Sequence, residues 1–229
     1  MKNYVLINLY KRIKVNSMKD LIIIGAGGLG REVAWLIDEI NEINMKWNLL
    51  GYIDDDKDKI GKYLNGYPVL GGFEYLENKK DIHYVCAIAN SKIKKEIIEK
   101  RCRKYNIKPA TLIHPSVIMS RKYNEIGEGC IICINSSITV NTKLKNHITI
   151  NPGCTIGHDI TIDNYTTIYP GVNISGNCDI GECVEIGTGS QIIQGKSIGS
   201  NSIVGAGSVV IKDIEKNSTA VGVPAKVIK

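Results

Sequence analysis

From Ile126 to Val210 an aliphatic side chain returns at every sixth position without an insertion. The series is Ile126, Ile132, Ile138, Leu144, Ile150, Ile156, Ile162, Ile168, Ile174, Ile180, Ile186, Ile192, Ile198, Val204 and Val210, fifteen matches in a row. Because six is even, each repeat returns its side chain to the same face of an extended strand. A helix, at about 3.6 residues per turn, would drift away from that register. The period therefore demands short strands joined by tight corners and stacked into a prism, a parallel β-helix.

The neighbours of the beat repeat as well. Gly127, Gly157, Gly181, Gly187, Gly199 and Gly205 each follow an aliphatic residue, and glycines at corners would permit positive φ. Four residues after the aliphatic come small or β-branched side chains, among them Cys130, Ser136, Thr142, Cys154, Thr166, Val172, Cys178, Val184, Ser190, Ser202 and Ser208. One large aliphatic with one small inward neighbour would fill a narrow axis without overfilling it. The single Phe and two Trp of the chain suit such a repetitive aliphatic core. Both ends of a coil must be covered. Leu112 and Ile118 are read as an imperfect lead-in, interrupted at residues 122–125. The period is lost again at residues 211–218, ahead of Gly222-Val-Pro-Ala-Lys226. Lys196 stands where small residues are usual, so residues 194–196 are expected to leave the coil as a local bend.

Upstream the pattern changes. Residues 20–24 read as a buried strand, followed by the G-x-G-x-x-G run Gly25-Ala-Gly-Gly-Leu-Gly30 and a helix over 31–44. Residues 49–53 form a second strand ending in Asp54-Asp55-Asp56. Residues 82–88 form a third, ending at Ala89-Asn90, before a helix over 91–105 with Ser91 as its N-cap. Glycines between strand and helix let a phosphate approach the helix N-terminus. A nucleotide sugar, a dinucleotide and a purely structural turn are all compatible with the motif. The segment is short for a dehydrogenase half, and no hydride-transfer partner is evident.

Seven cysteines, an odd number in a chain of this length, argue against a disulfide framework and for a reducing compartment. Cys130 and Cys133 form a lone C-x-x-C without a second pair. Of the net charge of +6, four positive charges fall in residues 1–17, and the rest of the chain carries only +2. That gives no basic stripe for nucleic acid. No apolar run is long enough for a membrane span. Residues 1–17 resemble a signal peptide only superficially, since Asp20 interrupts the apolar stretch. Met18 offers a second start, with residues 1–17 as an upstream extension.

Of the four histidines, His83 sits in an apolar strand and His114 precedes Pro115 at the junction; both read as structural. His147 lies in the repeat without an acidic neighbour. His158 follows Ile156-Gly157 at a corner and precedes Asp159. A corner faces outward, and a carboxylate beside an imidazole orients it and raises its basicity. A zinc site of three histidines would need a further histidine in the repeat. No cysteine has a basic partner at a readable spacing, which disfavours a covalent acyl-enzyme.

Taken in order, several motifs carry a family resemblance over residues 18–229. They are Gly25-Ala-Gly-Gly-Leu-Gly30, Tyr52-Ile-Asp-Asp-Asp56, Ala87-Ile-Ala-Asn90, Leu112-Ile-His-Pro115, Asn151-Pro-Gly, Gly157-His-Asp159, Val204-Gly-Ala-Gly207 and Gly222-Val-Pro-Ala-Lys226. The chain resembles the sialic acid O-acetyltransferase/bacillosamine N-acetyltransferase family of bacterial sugar acetyltransferases. The chain is thus expected to divide into an N-terminal extension over 1–17, a Rossmann-like βαβ domain over 18–110, to which the resemblance assigns sugar-nucleotide binding, and a left-handed parallel β-helix over 111–229 with a C-terminal cap. Three hexapeptides per coil would turn fifteen repeats into five coils, a rod roughly 24 Å long at about 4.8 Å per strand spacing. The resemblance further implies a homotrimer holding acetyl-CoA in grooves between β-helices; a cytoplasmic location and no metal are expected from the cysteines and histidines above. His158 would be the general base and Asp159 its modulator. Gly25, Gly27, Gly28, Asp54, Asp55, Ala89, Asn90 and Asn151 would lie at the sugar nucleotide. Thr167, Gly176, Thr188 and Ala206 would lie at acetyl-CoA, Thr167 standing where relatives often carry a second histidine. Leu29 likewise replaces a polar residue of some relatives. The expected reaction is acetylation of an amino group on a nucleotide-linked sugar for surface polysaccharide. O-acetylation of a sialic acid-type hydroxyl and non-catalytic sugar-nucleotide binding are the alternatives.

Overall fold

A computed structural model describes residues 18–229. The upstream basic cluster, and with it the reading of residues 1–17, lies outside the described residues. The first elements are β1 (Lys19–Ile24), α1 (Gly28–Ile43), β2 (Trp47–Ile53), β3 (Tyr63–Leu64), β4 (Tyr67–Gly71), β5 (His83–Cys86), α2 (Ser91–Glu96) and β6 (Lys108–Pro109). They build a six-stranded sheet in the order β3-β4-β2-β1-β5-β6. All its pairings are parallel except the β3–β4 hairpin. β1 is covered on both faces: Leu21 and Ile23 pack under α1, Ile22 and Ile24 on the side of α2. A parallel strand buried on both sides needs an unbroken apolar run, and Leu21-Ile-Ile-Ile24 supplies it. The helix expected over 91–105 is α-helical only to Glu96; wider turns follow over Ile97–Cys102 and tighter ones over Arg103–Tyr105. Its N-cap is Asn90, whose Oδ1 accepts from the Ile93 N–H at 2.9 Å. Ser91 is buried instead, and its N–H donates to Glu185 Oε1 at 2.9 Å.

The rest of the chain winds into coils of three two-residue strands. Corresponding strands lie eighteen residues apart and pair in parallel, as Ile132 with Ile150 and Ile150 with Ile168. The three sides are an eight-stranded sheet that includes the C-terminal hairpin, a six-stranded sheet and a five-stranded sheet. Every aliphatic of the beat from Ile132 to Val210 is buried in one axial core. The small residues are inward too, and their hydroxyls do a second job. Ser136, Thr142, Thr166 and Ser190 donate to carbonyls fifteen residues onward, satisfying polar atoms at the corners that burial would otherwise penalise.

Several expectations are corrected. The coil begins earlier than the period suggests: Leu112–Ile113, Ile118–Met119 and Glu125–Ile126 form a complete first turn. Its inward residues are Ile113 and Met119 rather than Leu112 and Ile118. Leu112 packs toward α1, and Ile118 is exposed. The region of Lys196 does not bend out; residues 191–198 keep the regular ladder, with Asp179 N–H donating to Lys196 O at 3.0 Å. The glycines after the aliphatic are not there for positive φ. A Cβ on Gly187 would sit 2.5 Å from the Ala206 nitrogen, so the next coil requires its absence. Positive φ occurs two residues later, as at Gly189 and Gly153, or on asparagines such as Asn141 and Asn177. Cys130 faces the axis and Cys133 faces α1, two different cores, so the C-x-x-C has no common site. All seven cysteines are free and buried.

Opposite responses are expected at two neighbouring glycines. Gly187→Ala should cost about 1–3 kcal/mol by overpacking against the next coil. Gly189→Asn should change stability little, because open space surrounds it and asparagine tolerates the left-handed conformation. Urea unfolding of the two variants checks this; equal losses would refute the distinction.

Candidate active site

The glycine turn leaves β1 at Gly25 (φ +100°) and enters α1 through Gly27, which caps the helix without a side-chain hydrogen bond. Gly30 lies so close to Gly25 that a Cβ would sit 2.1 Å from its carbonyl oxygen. Helix and strand can approach only because Gly30 lacks a side chain, while a Cβ on Gly25 would instead press on Ile88 Cδ1 at 2.8 Å. Gly27 and Gly28 are exposed with open space around them, so the first N–H groups of α1 face a gap where an anion would be stabilised. Asp54 braces this turn from β2: its Oδ2 accepts from Ala26 N–H at 2.8 Å and its Oδ1 from Asp56 N–H at 2.9 Å. Burial raises its carboxyl, but those N–H groups and Lys59 outweigh it and hold it below the ordinary range. Asp55 is paired with the Arg101 guanidinium, which lies 4.0 Å over the Phe73 ring. Gly25, Asp54, Asp55, Phe73, Ile88 and Arg101 line a hollow of about 150 Å³ at the strand ends.

His158 and Asp159 occupy a corner of the second coil after the lead-in turn. His158 Nδ1 lies 2.8 Å from Asp159 Oδ2, with both side chains about half exposed. Asp159 Oδ1 also accepts from Asn141 Nδ2 at 3.0 Å, so the carboxylate is held from both sides. The hydrogen bonds from His158 and Asn141 keep its carboxyl below the usual range. A carboxylate on Nδ1 puts the imidazole proton there and leaves Nε2 as an outward base. The ring rests on Gly176, where a Cβ would lie 2.5 Å from it. The Gly176 N–H itself has no backbone acceptor among the described residues.

The remaining expected residues divide. Thr188 and Ala206 are exposed at the corner one face away from His158, on the edge that also carries Asn151 and Pro152. The six-stranded face separates that edge from His158 and Gly176. Asn90 caps α2, and the Ala89 carbonyl accepts from Thr167 Oγ1 at 2.7 Å. Asn151 is buried with its Nδ2 on Ile168 O at 2.8 Å. Thr167 is fully buried, so it does not stand open to a cofactor. It belongs to the seam where α2 meets the β-helix.

That seam holds a residue the sequence did not reveal. Lys94 is 1% exposed. Its Nζ donates to Thr167 Oγ1 at 2.9 Å, Thr149 Oγ1 at 3.1 Å and Thr166 O at 3.4 Å. Three neutral oxygens match its three protons. In the run Ser91-Lys-Ile-Lys-Lys-Glu96 it looks like one more solvated lysine, and only the docked coil distinguishes it. His147 is likewise structural, stacked 5.5 Å from Tyr165 with burial pushing its pKa down to about 4. His83 packs edge-on against Trp47.

A stack of hexapeptide coils with an outward imidazole–carboxylate pair, joined to a phosphate-type glycine turn, defines an acyltransferase of the hexapeptide-repeat class. Comparison with known proteins agrees. Residues 20–101 match the PglD N-terminal domain family. The chain is similar over 92% of its length to the whole acetyltransferase domain of PglB from Neisseria gonorrhoeae FA1090, with 32% identity, 100% of that chain covered and a TM-score of 0.83. WeeI from Acinetobacter baumannii AYE is 31% identical, with 92% and 100% coverage and a TM-score of 0.83. PerB from Caulobacter crescentus, solved with CoA and GDP-perosamine, is 25% identical, with 93% and 99% coverage and a TM-score of 0.83. No curated protein sequence matches. The chain belongs to the sugar N-acetyltransferases of the hexapeptide-repeat family, whose coils form a left-handed β-helix. No helix among the described residues is long and apolar enough to cross a membrane, and no metal-binding group of residues occurs among them.

The Lys94 seam has a pH signature. Burial lowers the ammonium from 10.5 to about 8. Between those values the unfolded chain binds more protons, so this residue's contribution to stability rises with pH and is lost as pH falls through about 8. Relative to Lys94→Met, the wild type should gain on the order of 3 kcal/mol between about pH 8 and about pH 10.5. Urea unfolding of both proteins across that window checks it; a flat difference would show that the ammonium is not penalised.

Proposed function

We propose that this enzyme transfers the acetyl group of acetyl-CoA to an amino group on a nucleotide-linked sugar. The observation that carries the chemistry is the His158–Asp159 pair, held at 2.8 Å on an exposed corner with Nε2 free. PerB, the relative solved with CoA and GDP-perosamine, supports the substrate class.

His158 Nε2 takes a proton from the acceptor amine as the nitrogen attacks the thioester carbonyl. The new C–N bond forms, and negative charge collects on the carbonyl oxygen. The Gly176 N–H, free of backbone partners and beside the imidazole, is placed to steady it. The C–S bond then breaks, and the thiolate recovers the proton from the imidazolium. Asp159 keeps the ring in the required tautomer and stabilises the imidazolium. The nucleotide phosphates sit at Gly27–Gly28 on the α1 N-terminus.

The division of site residues supports a homotrimer. Gly176 and His158 line one edge of the prism, Thr188 and Ala206 the next. One ligand touches both sets only where the edge of one subunit faces the other edge of its neighbour. Acetyl-CoA occupies that groove in this reading. The seven free cysteines fit a reducing cytoplasm.

Thiol release from acetyl-CoA tests the reading. Nucleotide 4-amino-sugars should support turnover with an acetamido product, sialic acids should not, and silence across both would refute it. His158→Ala should lower kcat about 10²–10⁴-fold while acetyl-CoA affinity and thermal stability hold. Asp159→Asn should lose less, since it removes orientation rather than the base. Wild-type rates in His158→Ala would overturn the assignment.

A further inference from the structure

A second hollow, of about 110 Å³, lies where α1 meets the first coils. Glu32, Trp35, His114, Cys133, Ile134 and Pro152 line it. His114 is only 5% exposed. Its Nδ1 accepts from the Ser116 N–H at 3.0 Å, so the neutral ring carries its proton on Nε2. That Nε2 is buried and has no hydrogen-bond partner among the described residues; Glu39 Oε2, at 4.0 Å, is too distant. An orphaned buried donor is costly unless something fills its place. Trp35 leans over the same hollow, its ring 6.0 Å from that of His114. The indole is fixed by its Nε1–H, which donates to Glu39 Oε1 at 3.1 Å. Glu32 is exposed at the rim.

We propose that this hollow seats the pyranose ring of the acceptor, with Trp35 covering its C–H face, His114 Nε2–H donating to a ring substituent oxygen, and the Glu32 carboxylate accepting from a hydroxyl. The inference rests on the nucleotide-sugar reading above and adds the residues that choose the sugar. An aromatic face beside one fixed donor and one acceptor is the chemistry a sugar demands, apolar on its C–H side and hydrogen-bonding at its edge. The location agrees. Glu32 and Trp35 lie four and seven residues beyond Gly28 on α1, roughly 6 and 10 Å down the helix at about 1.5 Å per residue. A sugar on a diphosphate held at the helix start falls over that stretch. Pro152, at the hollow's wall, belongs to the same coil as His158. A closed ring of subunits about an axis parallel to the prism preserves height, so a neighbouring subunit's imidazole stands level with this hollow.

The test compares each nucleotide sugar with its bare nucleotide. Calorimetry with GDP-perosamine against GDP, and with a UDP-4-amino-4,6-dideoxyhexose against UDP, measures what the sugar adds. In Trp35→Ala, a surface change, the better sugar nucleotide should bind at least ten-fold more weakly. The matching nucleoside diphosphate and the KM for acetyl-CoA should not move. Glu32→Gln should raise the sugar-nucleotide KM several-fold with little change in kcat, a split a merely structural residue would not give. If both variants keep the full sugar contribution, or lose nucleotide and sugar nucleotide equally, the subsite is wrong while the acetyltransferase reading stands. If the wild-type protein binds none of these ligands and acetylates none, both fall together.

Discussion

The axial stack of aliphatic side chains is the constraint from which everything else follows. Each coil exposes two apolar rims, and only another coil in register, eighteen residues on, covers them. Burying an Ile is worth about 1.5–3 kcal/mol, and the stack repeats that gain at each strand. The same stack fixes where the corners fall, hence which residues point outward. His158 and Gly176 share an edge because they are eighteen residues apart. A glycine at 176 is then the only residue that leaves the imidazole room.

Much of this was legible in the sequence because it is periodic. The beat, its small inward partners and the outward corner histidine are all consequences of an even period. The glycine turn was legible because strand, turn and helix are adjacent in the chain. What stayed hidden depends on contacts between distant segments. One extra residue between Met119 and Ile126 masks the first coil, which the ladder accommodates but a strict period does not. The glycines that follow six of the aliphatics suggest backbone freedom in the sequence, whereas the approach of the next coil requires them. Thr167 and Lys94 lie 73 residues apart and meet at 2.9 Å. Neither side of that bond announces itself in the sequence.

That seam ties the two halves of the chain into one device. Leu112, Ile131 and Cys133 complete the core under α1, and Tyr165 and Cys183 complete the core on the side of α2. The glycine turn is therefore held at a set position relative to the prism, and a ligand bound there is presented along one edge. In the trimer proposed above, the His158 corner of a neighbouring subunit faces that edge, and acetyl-CoA lies in the groove between them. On that proposal the assembly, rather than the single chain, is the catalytic unit.

A structure of the enzyme with CoA and its nucleotide sugar bound tests this account most directly. It should show the acceptor nitrogen within about 3 Å of an imidazole Nε2 at the His158 corner, that corner belonging to one subunit and the glycine turn holding the phosphates to another. A sugar nitrogen far from every such corner, or a complete site within one chain, would contradict it.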